Sequence, residues 1–199
     1  MYVNNKNGGF VKTVNFSISG DGNNVQVADF TGDGHPDVLV SNYGGPANFF
    51  KNNGDGTFAA AVNLGSGIMD ANYGDLSGNG INDIVTANQD GTVQIFTNNG
   101  NGIFTAGKKF NVGQRLGFVR IADLNNDGKN DIIVANQGDE CLAYILNRGD
   151  GSFSNPITPG NSKFSYGFTI SDINNDGKID IITANAGDNS FSIFRNTGY

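Results

Sequence analysis

Four nine-residue stretches constrain this chain more than anything else in it: DFTGDGHPD (29–37), DLSGNGIND (75–83), DLNNDGKND (123–131) and DINNDGKID (172–180). Their first residues lie 46, 48 and 49 positions apart. Each carries oxygen-bearing side chains at positions one, three, five and nine, with Gly at position six, where a sharp turn needs permissive dihedrals. A second signal follows the first three loops, 29 or 30 residues beyond their first Asp: NNGDGTF ending at Phe58, NNGNGIF at Phe104 and NRGDGSF at Phe153. An unpaired copy, NNKNGGF, ends at Phe10. Two ordered signals at one period mark one structural unit used repeatedly.

Within a period the apolar runs are short and broken by turn residues. In the third they read GFVRIAD before the acidic loop, DIIVAN after it, then CLAYILN and SNPITP. That is four short strands, with no sustained helical period. Thirty Gly, four Pro and no Trp fit many tight turns between strands. Four-stranded units of about 45–50 residues have the period of propeller blades. The small residue before each loop, Ala28, Gly74, Ala122 or Ser171, suits a crowded innermost strand.

The expected fold is therefore all-β, a β-propeller of four four-stranded blades in one domain over 1–199. The repeats run at approximately 25–69, 70–115, 116–163, and 164–199 completed by 1–24. Pairing FVKTVNF with the last blade would close the ring by the N-terminal strand and remove both open edges. Residues 1–5 duplicate the strand in FSIFRN, so a fragment or half of a larger propeller is the alternative.

The net charge of −7 is local. Eleven of the nineteen acidic residues sit in the four loops, leaving eight against twelve Lys and Arg elsewhere. With no basic cluster and no apolar run of spanning length, neither nucleic acid nor membrane insertion is expected. The start, MYVNNKNGGF, has no signal-peptide pattern. Lone Cys141 forms no intramolecular disulfide, so another stabiliser is called for.

A hard cation such as Ca²⁺ takes about six to eight oxygen ligands. The loops offer Asp29, Thr31, Asp33 and Asp37; Asp75, Ser77, Asn79 and Asp83; Asp123, Asn125, Asp127 and Asp131; Asp172, Asn174, Asp176 and Asp180. Backbone carbonyls of His35, Ile81, Lys129 and Ile179 complete the expected sets, since their side chains share no chemistry. This gives up to four Ca²⁺, one per acidic loop, with 75–83 the weakest because Asn79 replaces a carboxylate. One His and one Cys do not build a zinc shell. An EF-hand loop runs twelve residues between helices, whereas these lead into DVLV, DIVT, DIIV and DIIT.

The pairing of DxNxDGxxD with GDGxF about thirty residues later closely resembles the FG-GAP/VCBS repeats of integrin α-subunit propellers and bacterial surface proteins. The resemblance spans essentially the whole chain and implies that each loop joins the first two strands of a blade and binds Ca²⁺. Thr31, Ser77 and Asn79 depart from the commonest pattern and make the first two sites less regular.

The function expected is a calcium-stabilised extracellular or cell-surface adhesion module, binding a protein or glycan through the loops of one face. Asn42, Asn88, Asn136 and Asn185 recur there as turn caps; their neighbours Tyr43, Gln89, Asp90, Gln137, Glu140 and Asp188 vary and suit specificity. A lectin using Tyr43, Tyr73 and Tyr166 is the second reading. An enzyme, of the polysaccharide lyase or dehydratase type, is the third, and weaker, because His35 sits inside a candidate metal loop and Glu140 and Cys141 stand in a turn with no evident acid–base partner. A monomer is expected first and a homodimer second.

Overall fold

The computed structural model describes residues 2–12, 14–159, 167–185 and 188–198, which form antiparallel strands and no helix. An N-terminal hairpin, β1 (Tyr2–Asn4) and β2 (Phe10–Lys12), comes first. Repeat one contains β3 (Gly22–Ala28), β4 (Asp37–Asn42), β5 (Gly45–Phe50) and the first half of β6 (Val62–Gly74). Repeat two takes the second half of β6 with β7 (Asp83–Asn88), β8 (Thr92–Asn98) and β9 (Phe104–Asn111). Repeat three has β10 (Leu116–Ala122), β11 (Asp131–Asn136) and β12 (Cys141–Ile145); repeat four has β13 (Gly167–Ser171), β14 (Asp180–Asn185) and β15 (Ser190–Phe194).

The fourth strands depart from four equal copies. In β6 the fourth strand of repeat one runs without a break into the first strand of repeat two, pairing with β5 through Leu64↔Ala47 and with β7 through Ala71↔Thr86. In repeat three the fourth strand contributes single bridges, Asn147↔Phe153 and Tyr144↔Ile157, because Pro156 and Pro159 remove ladder donors. Among the described residues no ladder joins the N-terminal hairpin to β15: β2 pairs with β1 instead, through Asn4↔Phe10.

Three apolar layers join successive repeats. Phe30, Leu39, Phe49, Ala71 and Ile84 bind repeat one to two. Val93, Ile95, Val119, Ile132 and Val134 bind two to three. Ile133, Leu142, Phe168 and Ile181 bind three to four. Every residue of β7 and β11 is buried, because each is the second strand of its repeat, paired on both sides and with a repeat packed over each face. The first strands pack in sequence, β3 on β6, β6 on β10 and β10 on β13. Gly74 shows how close they come: a Cβ there would stand 2.9 Å from Ile121 Cγ2.

Of the landmark phenylalanines, Phe104 and Phe153 pack into these layers, while Phe58 packs outside them. Phe104 stacks edge-on against Phe49 at 5.0 Å, Phe153 against Phe110 at 5.7 Å and Phe58 against Phe16 at 5.1 Å. Outer strand β9 is mostly exposed and carries Lys108 and Lys109, charges that blunt an open edge.

One buried hydroxyl stands out. Ser41 Oγ has no hydrogen-bond partner, and the same position holds Ala87, Ala135 and Ala184 in the other repeats. A buried polar group left unpaired costs about 1–3 kcal/mol. Ser41→Ala is expected to stabilise the chain by about 1 kcal/mol, raising the thermal midpoint by roughly 2–4 °C in a calorimetric scan.

Candidate metal loops

Each acidic loop begins where the first strand of a repeat ends, and its ninth residue opens the second strand. Position one folds the loop around itself. The N–H of the position-six glycine donates to the first carboxylate in all four, from Gly34 to Asp29 and Gly80 to Asp75 (both 2.8 Å), Gly128 to Asp123 (2.7 Å) and Gly177 to Asp172 (2.8 Å). Those glycines have φ of 80–84°, which L side chains rarely adopt.

Position nine does something different. Asp37, Asp83, Asp131 and Asp180 are fully buried. One oxygen of each accepts the N–H of its loop's second residue: Phe30, Leu76, Leu124 or Ile173. The other accepts the N–H of the first Asn in the second signal: Asn52, Asn98 and Asn196 at 2.8 Å, Asn147 at 2.7 Å. That Asn then reaches into the preceding repeat. Asn98 Nδ2 donates to the Phe30 carbonyl (2.7 Å), Asn147 to Leu76 (2.8 Å) and Asn196 to Leu124 (2.6 Å). A buried carboxylate thus holds an amide that latches each repeat to the loop before it.

The two sequence signals meet a second time at position seven. His35, Ile81, Lys129 and Lys178 lie against Gly54, Gly100, Gly149 and Gly198, so closely that a Cβ on any of these glycines would crowd them. The side chain at position seven therefore covers a glycine, whatever its chemistry. This corrects the fourth carbonyl: Lys178, not Ile179, stands at position seven. Ile179 is at position eight, where its carbonyl accepts from Asn196 Nδ2 at 3.3 Å.

Charges within the loops are balanced unevenly. Burial tends to raise the Asp29 carboxyl, but the N–H groups of Gly34, Gly32, Thr31 and Asp33 outweigh it and hold the pKa below its ordinary 3.8. Asp172 behaves likewise under the N–H groups of Gly177, Asp176, Asn175 and Asn174. The His35 N–H leads in lowering Asp33, with help from Lys51, whose ammonium lies 3.2 Å away. Lys129 lies 3.3 Å from Asp127. Asp131 is raised: burial dominates, the N–H groups of Asn147 and Leu124 offset part of it, and the charges of Asp127 and Asp123 push further upward.

Among the described residues no three His, Cys, Asp or Glu side chains are gathered closely enough to hold a metal by themselves. The donor chemistry nonetheless fits a hard cation. Every candidate atom is oxygen, each position-nine oxygen bonded to a single N–H keeps a second lone pair, and the like charges around Asp131 are what a bound cation would relieve. The residues that would hold it are positions one, three, five and nine of each loop, with the carbonyls of His35, Ile81, Lys129 and Lys178.

The turns joining second and third strands form another set. Asn42, Asn88, Asn136 and Asn185 are buried and bonded mostly within their own turns, Asn42 to Pro46 O, Asn88 to Thr92 Oγ1, Asn136 to Asp139 and Asn185 to Ser190 Oγ. Tyr43 is 62% exposed, and Gln89, Asp90, Glu140 and Asp188 are exposed beside these turns. Tyr73 is not on that face; it packs on Phe30 and donates to the Val27 carbonyl. Tyr166 lies outside the described residues. Cys141 is buried, and burial, then Asp139, pushes its thiol pKa up.

Sequence reasoning missed Asp70. It is fully buried, accepts from Asn24 Nδ2 (2.9 Å), the Val119 N–H (3.1 Å) and Arg120 Nη1 (3.2 Å), and so joins repeats one, two and three. Burial raises its carboxyl pKa against those three bonds. Its one sequence signal is an acid inside the strand MDANYG, away from any loop.

Four overlapping segments, 1–40, 29–86, 75–134 and 123–183, match the family described as FG-GAP-like repeat. No curated protein matches the chain. Among solved structures, one concerns specific recognition of non-reducing terminal N-acetylglucosamine by an Agrocybe aegerita lectin. It is 25% identical with TM-score 0.55, over 86% of this chain and 51% of that one. BBS1N in complex with ARL6DN, soaked with mercury, is 12% identical with TM-score 0.61, over 89% and 58%. The lead-soaked form of that complex is 12% identical with TM-score 0.58, over 87% and 56%. The chain thus spans a little over half the length of the solved chains it matches.

Asn147→Ala would leave the Leu76 and Asn130 carbonyls and the Gly149 N–H without their partner. A loss of about 2–4 kcal/mol is expected in denaturant unfolding. Asn52→Ala, which vacates Pro36 O and the Gly54 N–H but no bond to a preceding repeat, should cost less. The pH dependence in chelator follows from the lowered groups. Asp29 and Asp172 release protons more readily folded than unfolded, so their stabilisation is present above pH 3.8 and lost as pH falls through their lower folded values. Asp70 acts oppositely, favouring the fold as pH drops through its raised value toward 3.8. Thermal midpoints should hold or rise slightly toward that pH and fall below it, and the rise should shrink in Asp70→Asn, with Asp131, also raised, supplying the remainder.

Proposed function

Because the chain belongs to the FG-GAP-like repeat family, we propose that it is a calcium-stabilised binding module of four propeller blades, whose N-terminal strand supplies a blade's fourth strand. The observation that carries the reading is the loop set: four loops of matching geometry, each wrapping oxygen donors around a position-six glycine. Bound Ca²⁺ would supply positive charge among carboxylates that repel one another and tie position one to position nine, stiffening the joint between first and second strands. In loops one and three the cation would compete with the ammonium groups of Lys51 and Lys129.

Recognition is assigned to the turn face, through Tyr43, Gln89, Asp90, Gln137, Glu140 and Asp188. A glycan or protein ligand is supported by the exposed, varied polar side chains on a shared scaffold. The glycan reading gains weight from the lectin neighbour at 25% identity. The reading is of binding rather than catalysis, since Asp70 spends its oxygens on structural hydrogen bonds and His35 covers Gly54. Loops of modest charge fill at extracellular Ca²⁺ levels, which supports an extracellular or cell-surface setting, outside contact with nucleic acid or membrane interior.

Calorimetric scans with Ca²⁺ and with chelator test this. At a hundredfold excess over Kd each occupied site adds about 2.7 kcal/mol to apparent stability. A strong Ca²⁺-dependent rise, reduced in Asp127→Asn and Asp176→Asn, is expected, with the 75–83 loop filling last in titration calorimetry. An unchanged midpoint would reduce the loops to turns. A glycan array on the Ca²⁺ form, compared with Tyr43→Ala, tests the turn face.

A further inference from the structure

The two ends of the array carry opposite halves of the contact that already joins its repeats. The position four residues before each loop holds Ala71, Val119 and Phe168 in repeats two to four, all buried against the preceding repeat. In repeat one it holds Val25, 59% exposed. At the other end, Phe191 of β15 corresponds to Ala47, Val93 and Leu142, each buried under the following repeat. Phe191 is 70% exposed.

The latch is divided the same way. Asn52 donates to Pro36 O within its own repeat, where Asn98, Asn147 and Asn196 have an additional acceptor in the repeat before. Ile173 holds the position whose carbonyl accepts that bond in the other loops, and its side chain is 41% exposed. Beside the first face lies a cavity of about 840 Å³ lined by Val25, Val40, Phe50 and Phe58. Phe16 sits over Phe50 and Phe58 there, as Phe110 sits over Phe153 between repeats two and three.

These faces do not meet each other. β3 packs on β6 and β13 on β10, and no comparable packing joins β13 to β3. The four repeats superpose on 51–58% of each propeller-like neighbour while using 86–89% of themselves, the relation of an arc to a larger ring.

We propose that the occupant of both faces is a second copy of this chain, docked head to tail. The Phe191 face of each copy covers the Val25 face of the other, and the Ile173 carbonyl of each accepts from Asn52 Nδ2 of the other. Two half-turn arcs close by a two-fold axis along the ring, leaving neither face exposed. The N-terminal hairpin gives way in this assembly. Asn4↔Phe10 has the register of Asn52↔Phe58, Asn98↔Phe104 and Asn147↔Phe153, so β1 holds the place that Asn196 of the second copy takes opposite Phe10.

Light scattering on the full chain in chelator, where loop filling plays no part, tests the pairing. The expected mass is twice 20.9 kDa at tens of micromolar protein. Val25→Asp and Phe191→Asp alter exposed side chains, so each folds, shown by an unchanged far-ultraviolet spectrum, and each gives single-chain mass. Mixing the two variants restores the double mass through one seam, the Phe191 face of the first against the Val25 face of the second, while the seam that carries both aspartates stays open. A single-chain mass for the unmodified protein at every concentration, a dimer that survives Phe191→Asp, or a species larger than two chains would each overturn the proposal.

Discussion

The fold rests on a buried charge that never leaves the protein. Each position-nine aspartate is sealed from water and must satisfy both its oxygens internally, since an unpaired buried carboxylate is far too costly. It does so with an N–H of its own loop, two in the case of Asp83, and one from the end of the third strand. That second bond fixes the asparagine whose side chain grips the preceding repeat. Loop shape, strand pairing and the contact between repeats therefore share one anchor, and none of the three can shift alone.

This anchor explains why the two sequence signals keep a nearly constant distance. The acidic loop and the NxG turn are separated by two strands in the chain but are neighbours in space, joined by the aspartate–asparagine bond and by the position-seven side chain lying on a glycine. The spacing varies by one residue because turn lengths vary, while the glycine and asparagine do not vary in the second and third signals or at RNTGY. Chemistry at position seven is free because a backbone, not a pocket, receives it.

Much of this was legible beforehand. Strand order, the antiparallel pairing and the packing role of Phe104 and Phe153 follow from alternation and period, and membership of the repeat family follows from the paired signals. Other features were hidden. The fusion of two strands into β6 depends on glycines 65 and 67 adopting positive φ, which bends the chain without interrupting pairing. The role of Asn52, Asn98, Asn147 and Asn196 was masked because asparagine beside glycine reads as a turn residue. Asp70 was invisible for a third reason: its partners are backbone and side-chain groups 46 to 50 residues away, and no local pattern reports them. The N-terminal segment keeps the register of the repeats at Asn4↔Phe10, but β1 rather than β15 is the partner of β2 because it lies at shorter range.

The latch also has a direction. Asn98, Asn147 and Asn196 each reach backward along the chain, to the loop of the repeat before, and none of these bonds skips a repeat. A gene encoding such an array can gain or lose a whole period and keep the latch intact, since each copy brings its own donor and its own acceptor. The same chemistry that holds one blade to the next thus makes repeat number easier to change over descent, leaving the exposed turns to diverge one copy at a time, while the Asp70 cluster ties repeats one, two and three to their order.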